Sequence, residues 1–324
     1  MSTRIIKEAR SLLDPKMIRE WSTPNPRKVV SSTVILWAQL LSAWSMALFA
    51  APIFWLPAFF VICACISAMQ LWVHESSHFS LFRNRTLNDL WATLFFAGPI
   101  GMSVKKYRRF HMTHHTYLAT PKDLDRFAFN VDIRGKRNLI RTLLRGLLCI
   151  DGYHIAIKKY LVAPTDVPTD SAGNSIFYFI IFNTILLICC VYGGRWYLYF
   201  LFWVYPILGV AVTVNTIRSI GEHQPNRFPG VASADQNITQ IIRTTTPGLL
   251  EKWLMFQANF NYHFEHHLYP SVPASKLPEV HRHLAAKGFF HSHPELIQRS
   301  AVGKVFALSS VAEIKEGNVE KFSD

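Results

Sequence analysis

The sequence predicts an all-α membrane protein: four transmembrane helices in two hairpins, with a cytoplasmic helical cap holding three histidine boxes. Three observations predict it. Four apolar runs are long enough to cross a bilayer and contain no His, Asp or Glu. Nearly every Lys and Arg lies outside those runs, on one side of the resulting topology. The histidine boxes fall in the polar segments of that same side.

Composition sets the frame. Of 324 residues, 50% are hydrophobic and 14% aromatic, which is rich for a soluble domain and lean for a many-helix transporter. A few spans joined to a sizeable polar part fit that balance. The formal net charge is +13. No Lys/Arg cluster interleaves with aromatics in a nucleic-acid pattern, so topology is the better account of the charge. Of the five cysteines, Cys63, Cys65, Cys149, Cys189 and Cys190, none forms a CxxC pair and four sit within apolar runs. They read as small buried hydrophobes in a reducing context, not as a disulfide framework or thiolate site.

Residues 1–28 are polar and basic. A short helix from about Thr3 to Glu20 is expected on the membrane surface, with Ile5, Ile6, Leu12 and Leu13 inward. The first apolar run starts near Val29 and is too long for a signal-peptide core, so no cleavable signal is expected. Residues 29–50 are uncharged, and at ~1.5 Å per residue they reach across a hydrocarbon core. Residues 53–73 return, with Ala51-Pro52 at the turn, and run directly into His74. Residues 87–104 are apolar but carry Asp89 and Gly98-Pro99, and basic residues flank both ends. A span there would split the basic clusters, so this segment is expected to be re-entrant or interfacial.

Box two lies on an expected helix from about Val104 to Tyr117. A surface or interfacial helix around Leu139–Tyr160 follows, then a loop marked by Pro164, Pro168 and Gly173. Residues 176–192 and 196–217 form the second hairpin, turning at Gly193-Gly194-Arg195, with Trp196, Tyr197 and Tyr199 as an interfacial belt. An amphipathic interfacial helix is expected near Leu249–Phe260, with Trp253, Met255 and Phe256. The chain thus divides into an N-terminal segment 1–28, a main domain 29–290 and a C-terminal tail 291–324, whose last residues look charged and loosely ordered.

The basic residues test this topology. Seven of the 34 Lys and Arg lie in residues 1–28, fifteen in 74–175 and eleven in 218–324. Only Arg195 falls in a far-side turn. The side with 33 of 34 is expected to be the cytoplasm.

Eight of the 14 histidines sit in three boxes: His74 and His78 at i, i+4, then His111, His114 and His115, then His263, His266 and His267, each triple at i, i+3, i+4. Those positions share a helix face. Imidazole is the commonest transition-metal ligand. Eight are more than one ion needs, so two ions are implied. A structural zinc site would use about four ligands and usually cysteine, whereas here imidazole is in surplus and no cysteine is near. Imidazole alone leaves Zn, Cu, Fe and Ni open. Neutral imidazoles leave the cations poorly neutralised, so carboxylates should accept the outer ring N–H groups. Asp123, Asp125, Glu222, Glu265 and Glu75 are the candidates. His223, just past the fourth span, is positioned as a ninth ligand. His154, His281, His283, His291 and His293 are assigned to surface or supporting roles, with His291 and His293 the plainest surface positions.

HxxxH, HxxHH and HxxHH in this order, the third as Asn261-Tyr-His-Phe-Glu-His-His-Leu-Tyr-Pro270, resemble the integral-membrane fatty acid desaturases. His114 to Asp125 looks like that family's box two and its trailing acidic pair. Ser271 to His281 looks like the segment after box three, and Arg218 to His223 is similar to an Arg-x-x-x-Glu-His element before it. The resemblance covers roughly residues 30–290. It implies a four-helix stem with a cytoplasmic cap and a di-iron centre held by the eight box histidines, with His223 as the ninth ligand. It further implies O2-dependent removal of two hydrogens from an acyl chain. Stearoyl-type members carry an Asn where this chain has Ser219, so a water-mediated contact from that position is not carried over.

No heme-binding His-Pro-Gly-Gly stretch, GxGxxG or iron–sulfur cysteine set is present. Electrons are therefore expected from a separate donor of ferredoxin or cytochrome b5 type, and the basic face would suit an acidic partner. Membrane lipids and an acyl-chain substrate are the other expected partners, nucleic acid is not, and a bacterial inner membrane is favoured over the endoplasmic reticulum. A di-iron hydroxylase of a lipid, carotenoid or alkyl chain is the nearest alternative. A metal transporter or metal-binding membrane protein is the alternative of another class, and it would want ligands inside the spans.

Overall fold

The computed structural model describes residues 4–118, 120–125, 128–129, 131–156, 170–223 and 242–310. Two short helices open the chain, α1 (Arg4–Ser11) and α2 (Pro15–Trp21). The single N-terminal helix expected from the sequence is split because Asp14 caps the second one, accepting from Lys16 N, and Pro15 starts it. Ile5 and Leu13 face the cap, in a cluster with Phe264, Leu277 and Val280, so this segment is pinned to protein and is not a free surface helix.

The stem follows. The hairpin of α3 (Pro26–Phe49) and α4 (Trp55–Ser77) forms the most extensive helix pair, with Leu36, Leu40, Ala43 and Ala47 against Ile62, Ile66 and Met69. Four described helical stretches are long and apolar enough to cross a membrane, Pro26–Phe49, Pro52–Ser77, Ser175–Tyr192 and Tyr197–His223. They correspond to the four runs expected from the sequence, and the chain is an all-α membrane protein. Two of them run further than the apolar pattern indicates. α4 continues through His74 and Glu75, and the fourth stretch ends at His223, so both carry histidines on their last turns.

Residues 85–103 do not form a span. They make α5 (Arg85–Ala92), a π-helical turn at Thr93–Ala97 and a turn to Ser103. Phe96 is buried against the stem and stacks on Trp72 at 5.5 Å. Box two lies on α6 (Val104–Tyr117), capped by Ser103 Oγ accepting from Lys106 N. The helix expected at 139–160 is two helices, α7 (Gly135–Leu147) and α8 (Ile150–Ala156), because Cys149 takes a left-handed φ of 62° between them. Pro164, Pro168 and the rest of that expected helix lie outside the described residues. Gly173 lies within the backbone of α9 (Asp170–Tyr192), so the loop expected there has already given way to helix.

α10 (Tyr197–His223) contains two π-helical stretches, Phe200–Val204 and Pro206–Val210. Pro206 supplies no N–H, which accounts for the wider register at that point. Arg195, the one basic residue expected on the far side, donates to Ala47 O at 2.7 Å and Ala50 O at 2.9 Å. It caps the orphan carbonyls at the C-terminus of α3.

The remaining elements are cap. α11 (Leu249–Met255) is shorter than expected, and its apolar side is not all lipid-facing. Met255 and Phe256 pack with Ala301, while Leu249 and Leu250 are exposed. Gln257 reaches back to the stem and donates to Ala64 O at 3.0 Å. Box three is on α12 (His263–Leu268), followed by α13 (Leu277–Ala286), α14 (Phe289–Ser292) and α15 (Ala301–Ser309). A two-residue parallel pairing joins Thr244–Thr245 to Ile297–Gln298. Leu296, Val305 and Leu308 are buried, so the folded body extends past residue 290 to Ser309. Residues 311–324 lie outside the described residues.

Glycines fix the closest helix contact. A Cβ at Gly152 would fall 2.0 Å from the Leu208 carbonyl oxygen, while one at Gly248 would meet nothing within 4 Å. Gly152→Ala should therefore force α8 away from α10 and cost about 1–3 kcal/mol, seen as a melting point several degrees lower in detergent. Gly248→Ala should melt with the parent, and equal melting of the two variants would contradict this packing.

Candidate metal centre

The three boxes arrive on three helix segments. His74 sits on the last turn of α4 and His78 caps its C-terminus. The end of α4 is tied to its neighbours by one guanidinium. Arg108, on the box-two helix, donates to Ser77 O at 3.0 Å and Ser76 O at 2.9 Å, and pairs through two nitrogens with Asp89 on α5. Its cation lies 3.8 Å from the ring centre of Phe79, which holds a φ of 56°. Helix C-terminal carbonyls, a carboxylate and an aromatic face are what a planar, always-charged group satisfies together. This fixes box one relative to box two.

Nine histidines converge. One group comprises His74, His78, His111, His115 and His266; the other comprises His114, His223, His263 and His267. Within each group the candidate ligand atoms lie within 4.8 Å of one another. The triples divide between the groups because i+4 lies about 40° on one side of i and i+3 about 60° on the other. His111 and His115 therefore face one group and His114 the other. His263 and His267 face together, and His266 turns back to the first group.

The contacts within each group cannot all be hydrogen bonds. Nε2 of His78 lies 2.9 Å from Nε2 of His111, which lies 2.9 Å from Nε2 of His115, which lies 3.0 Å from Nε2 of His266. Each neutral imidazole Nε2 either donates once or accepts once. Three contacts in a chain of four such atoms admit at most two hydrogen bonds, leaving at least one close nitrogen pair unbonded. In the second group His263 Nε2 lies 2.7 Å from that of His223 and 3.1 Å from that of His267, and at most one of these can be a hydrogen bond. Two nitrogens at ~2.1 Å from one ion, a right angle apart, are about 3.0 Å from each other. His74 adds a buried Nε2 with no hydrogen-bond partner. The donor sets fit metal ions.

Protonation is opposed by the surroundings. Burial and then the Arg108 cation push His78 down to about 3, and burial with the neighbouring imidazoles pushes His115 down to about 2. His111, His263, His266 and His267 are lowered well below the ordinary histidine range by the same burial and crowding. The rings are held neutral, which is the ligand form.

The carboxylates divide by role. Asp123 Oδ2 accepts from His114 Nδ1 at 3.1 Å, fixing the tautomer that leaves Nε2 facing the second group. Asp125 is 3.9 Å from His111 Nδ1, Glu222 is 3.8 Å from His263 Nδ1 and Glu75 is 3.6 Å from His74 Nδ1. These are too long for hydrogen bonds. Glu222 also lies 3.6 Å from Arg218. Glu75 Oε2 accepts from Ala274 N at 2.8 Å, tying the end of α4 to the segment after box three.

Glu265 departs from expectation. It points away from the histidine rings, because position 265 is about 200° around the helix from 263. Its side chain is fully buried, accepting from Thr244 Oγ1 and from His281 Nδ1, the latter at 2.5 Å. It anchors the outer face of α12 and orients no ligand. His281 is thus a half-buried anchor. His283 bonds Leu12 O and His293 pairs with Glu8 and Glu295, while His291 is exposed. Arg108 was not singled out from the sequence, since nothing in a Lys-Lys-Tyr-Arg-Arg run marks one arginine. Phe260 and Phe129 were also missed. Phe260 packs 4.3 Å from the His74 ring, and Phe129 packs 4.8 Å from that of His223.

The fatty acid desaturase family model matches residues 50–296. The chain belongs to the fatty acid desaturase family. Among curated relatives of this desaturase-family chain, the dihydrorhizobitoxine desaturase of Bradyrhizobium elkanii is 27% identical over 214 residues, 62% of this chain and 59% of that protein. Sphingolipid delta(4)-desaturase DES1 of Xenopus tropicalis is 29% identical over 240 residues, 70% of this chain and 65% of that protein. Sphingolipid delta(4)-desaturase/C4-monooxygenase DES2 of Homo sapiens is 24% identical over 287 residues, 85% of this chain and 79% of that protein. The matched region spans about three fifths of the length of the first and about two thirds of the second.

The neutral histidines make stability depend on pH. Unfolded histidines take up protons below about pH 6.5, whereas native His78 resists until about 3. The unfolded state then binds more protons, so stability should be level above about pH 7 and fall steadily as pH drops through 6.5. Thermal unfolding in detergent from about pH 8 to about pH 5 measures this. A melting point unchanged across that range would contradict the burial of neutral rings.

Proposed function

We propose that this chain is a membrane di-iron desaturase that uses O2 and two external electrons to introduce a C=C bond into a fatty acyl chain. The observation that carries the reading is the convergence of nine imidazoles, six buried and three half-buried, into two adjacent groups in a chain of the desaturase family. His74, His78, His111, His115 and His266 would hold one iron, and His114, His223, His263 and His267 the other. When bound, the iron pair supplies the oxidising power for hydrogen abstraction from an unactivated carbon.

The chain's own residues supply the setting. Asp123 holds the His114 tautomer, and the carboxylates of Asp125, Glu222 and Glu75 offset positive charge in a site of neutral ligands. Phe260, Phe129 and Tyr107, the last stacked on His111 at 5.6 Å, wall the rings with apolar surface and exclude water. The histidines sit at the ends of α4 and α10 and on cap helices, where an acyl chain lying in the stem can meet them. The side holding 33 of 34 basic residues is assigned to the cytoplasm. A separate donor of ferredoxin or cytochrome b5 type would deliver the electrons there, and a bacterial inner membrane is the favoured location.

A hydroxylase on the same scaffold is the second reading, favoured by the human relative whose name pairs desaturase with C4-monooxygenase. A metal transporter or metal-binding membrane protein would place ligands along the spans, and these lie at span ends.

Expression in a host of known lipids with mass spectrometry of the acyl chains tests the reaction. Loss of two hydrogens is expected, and gain of one oxygen as the main product would favour the hydroxylase. His266→Ala should abolish both iron loading and product while the protein stays in the membrane, and full activity in that variant would contradict the ligand assignment.

A further inference from the structure

The α7–α8 corner carries features that the metal centre does not use. Its inner side, Leu139 and Gly146, is buried, and a Cβ at Gly146 would collide with Thr213 of α10. At the corner, Leu147 O and Cys149 Sγ lie against Gly209, and Gly152 meets Leu208, about midway along the apolar span. The corner therefore lies beside the stem below the level of the histidines, at a depth where hydrocarbon surrounds the span.

Its outer side matches that depth. Ile140, Leu144, Leu148, Ile150 and Tyr153 are all exposed, at 40–67% of their full surface. Beside them Arg137, Arg141 and Arg145 repeat every fourth residue and so run in one row. The row, with Ile140, Leu144, Leu148 and Ile150, lines an open surface groove of about 670 Å³. Arg145, nearest the corner, is neutralised by Asp151 at 2.7 Å, as charges at membrane depth are. Arg137 and Arg141, farther from the corner, are exposed and form no ion pair with the described residues. A paired charge below unpaired cations, all beside exposed Leu and Ile, follows the polarity profile of one leaflet from acyl region to phosphate layer.

We propose that the α7–α8 corner is seated in the leaflet under the cap and that Arg137 and Arg141 bind the phosphates of anionic lipids in this groove. The site selects negatively charged headgroups at the stem, beside α10, the helix that ends in His223. The arginines supply charge and hydrogen-bond donors to phosphate oxygens, and the Ile140–Leu144–Leu148 strip covers the upper acyl chain.

The full chain, reconstituted in phosphatidylcholine vesicles with trace spin-labelled phosphatidylglycerol or spin-labelled phosphatidylcholine, tests this by the motionally restricted fraction of each label. The parent should enrich the anionic label. The double variant Arg137→Gln/Arg141→Gln should lose that enrichment, by up to roughly fivefold per arginine, and Arg137→Lys/Arg141→Lys should keep most of it. Equal restriction of both labels by the parent would overturn the proposal, as would enrichment undiminished in the Gln variant. If the Gln variant keeps its lipid preference but loses binding of an acidic ferredoxin, the row belongs to a protein partner and the lipid assignment fails.

Discussion

The structure depends on a surplus of nitrogen lone pairs gathered where water is scarce. Nine imidazoles lie in two adjacent groups, several with ring nitrogens 2.7–3.1 Å apart. Protons cannot fill that arrangement, since each ring nitrogen supports one role and burial opposes the cationic form. A cation in each group would turn mutual repulsion into shared attraction. Under the proposed function, that attraction is what offsets so many polar side chains at the end of an apolar stem.

Holding them there falls to a few charge-assisted links between elements. Arg108 ties the carbonyl end of α4 to α5 and α6. Glu75 ties α4 to the chain after box three. Glu265 ties the outer face of α12 to His281 and Thr244. Each link joins separate segments of the chain, and Glu75 and Glu265 are buried ionisable groups whose unsatisfied form would be costly. The stem needs less of this, because small residues such as Ala43, Ala47 and Ala58 let its helices pack closely through apolar contact.

The spans and box two were legible in the sequence because their signals are local. An uncharged run of span length has few other uses, and the helix expected from about Val104 to Tyr117 is α6, with box two's i, i+3, i+4 spacing inside it. The nine histidines were legible as a set. Their division into two groups was not, because it depends on which way each short helix faces once packed. The continuation of α4 and α10 past their apolar runs was hidden because histidine and glutamate lower hydropathy while leaving the helix intact. Glu265 misled because a carboxylate between histidines looks like their partner until its helix angle is known. Arg108 was invisible because its partners are backbone carbonyls, which no side-chain pattern announces. The split at Cys149 and the inward turn of Met255 and Phe256 are likewise set by tertiary contacts.

Under the proposed function, the nine histidines hold a pair of iron ions. Metal analysis of the full-length protein, purified in detergent without added metal, combined with Mössbauer spectroscopy of iron-57-grown material, tests it directly. Two irons per chain in nitrogen-rich surroundings are expected, with oxidation states that change on adding a reductant and then O2. One tightly held zinc, or iron that does not respond to reductant and O2, would contradict it.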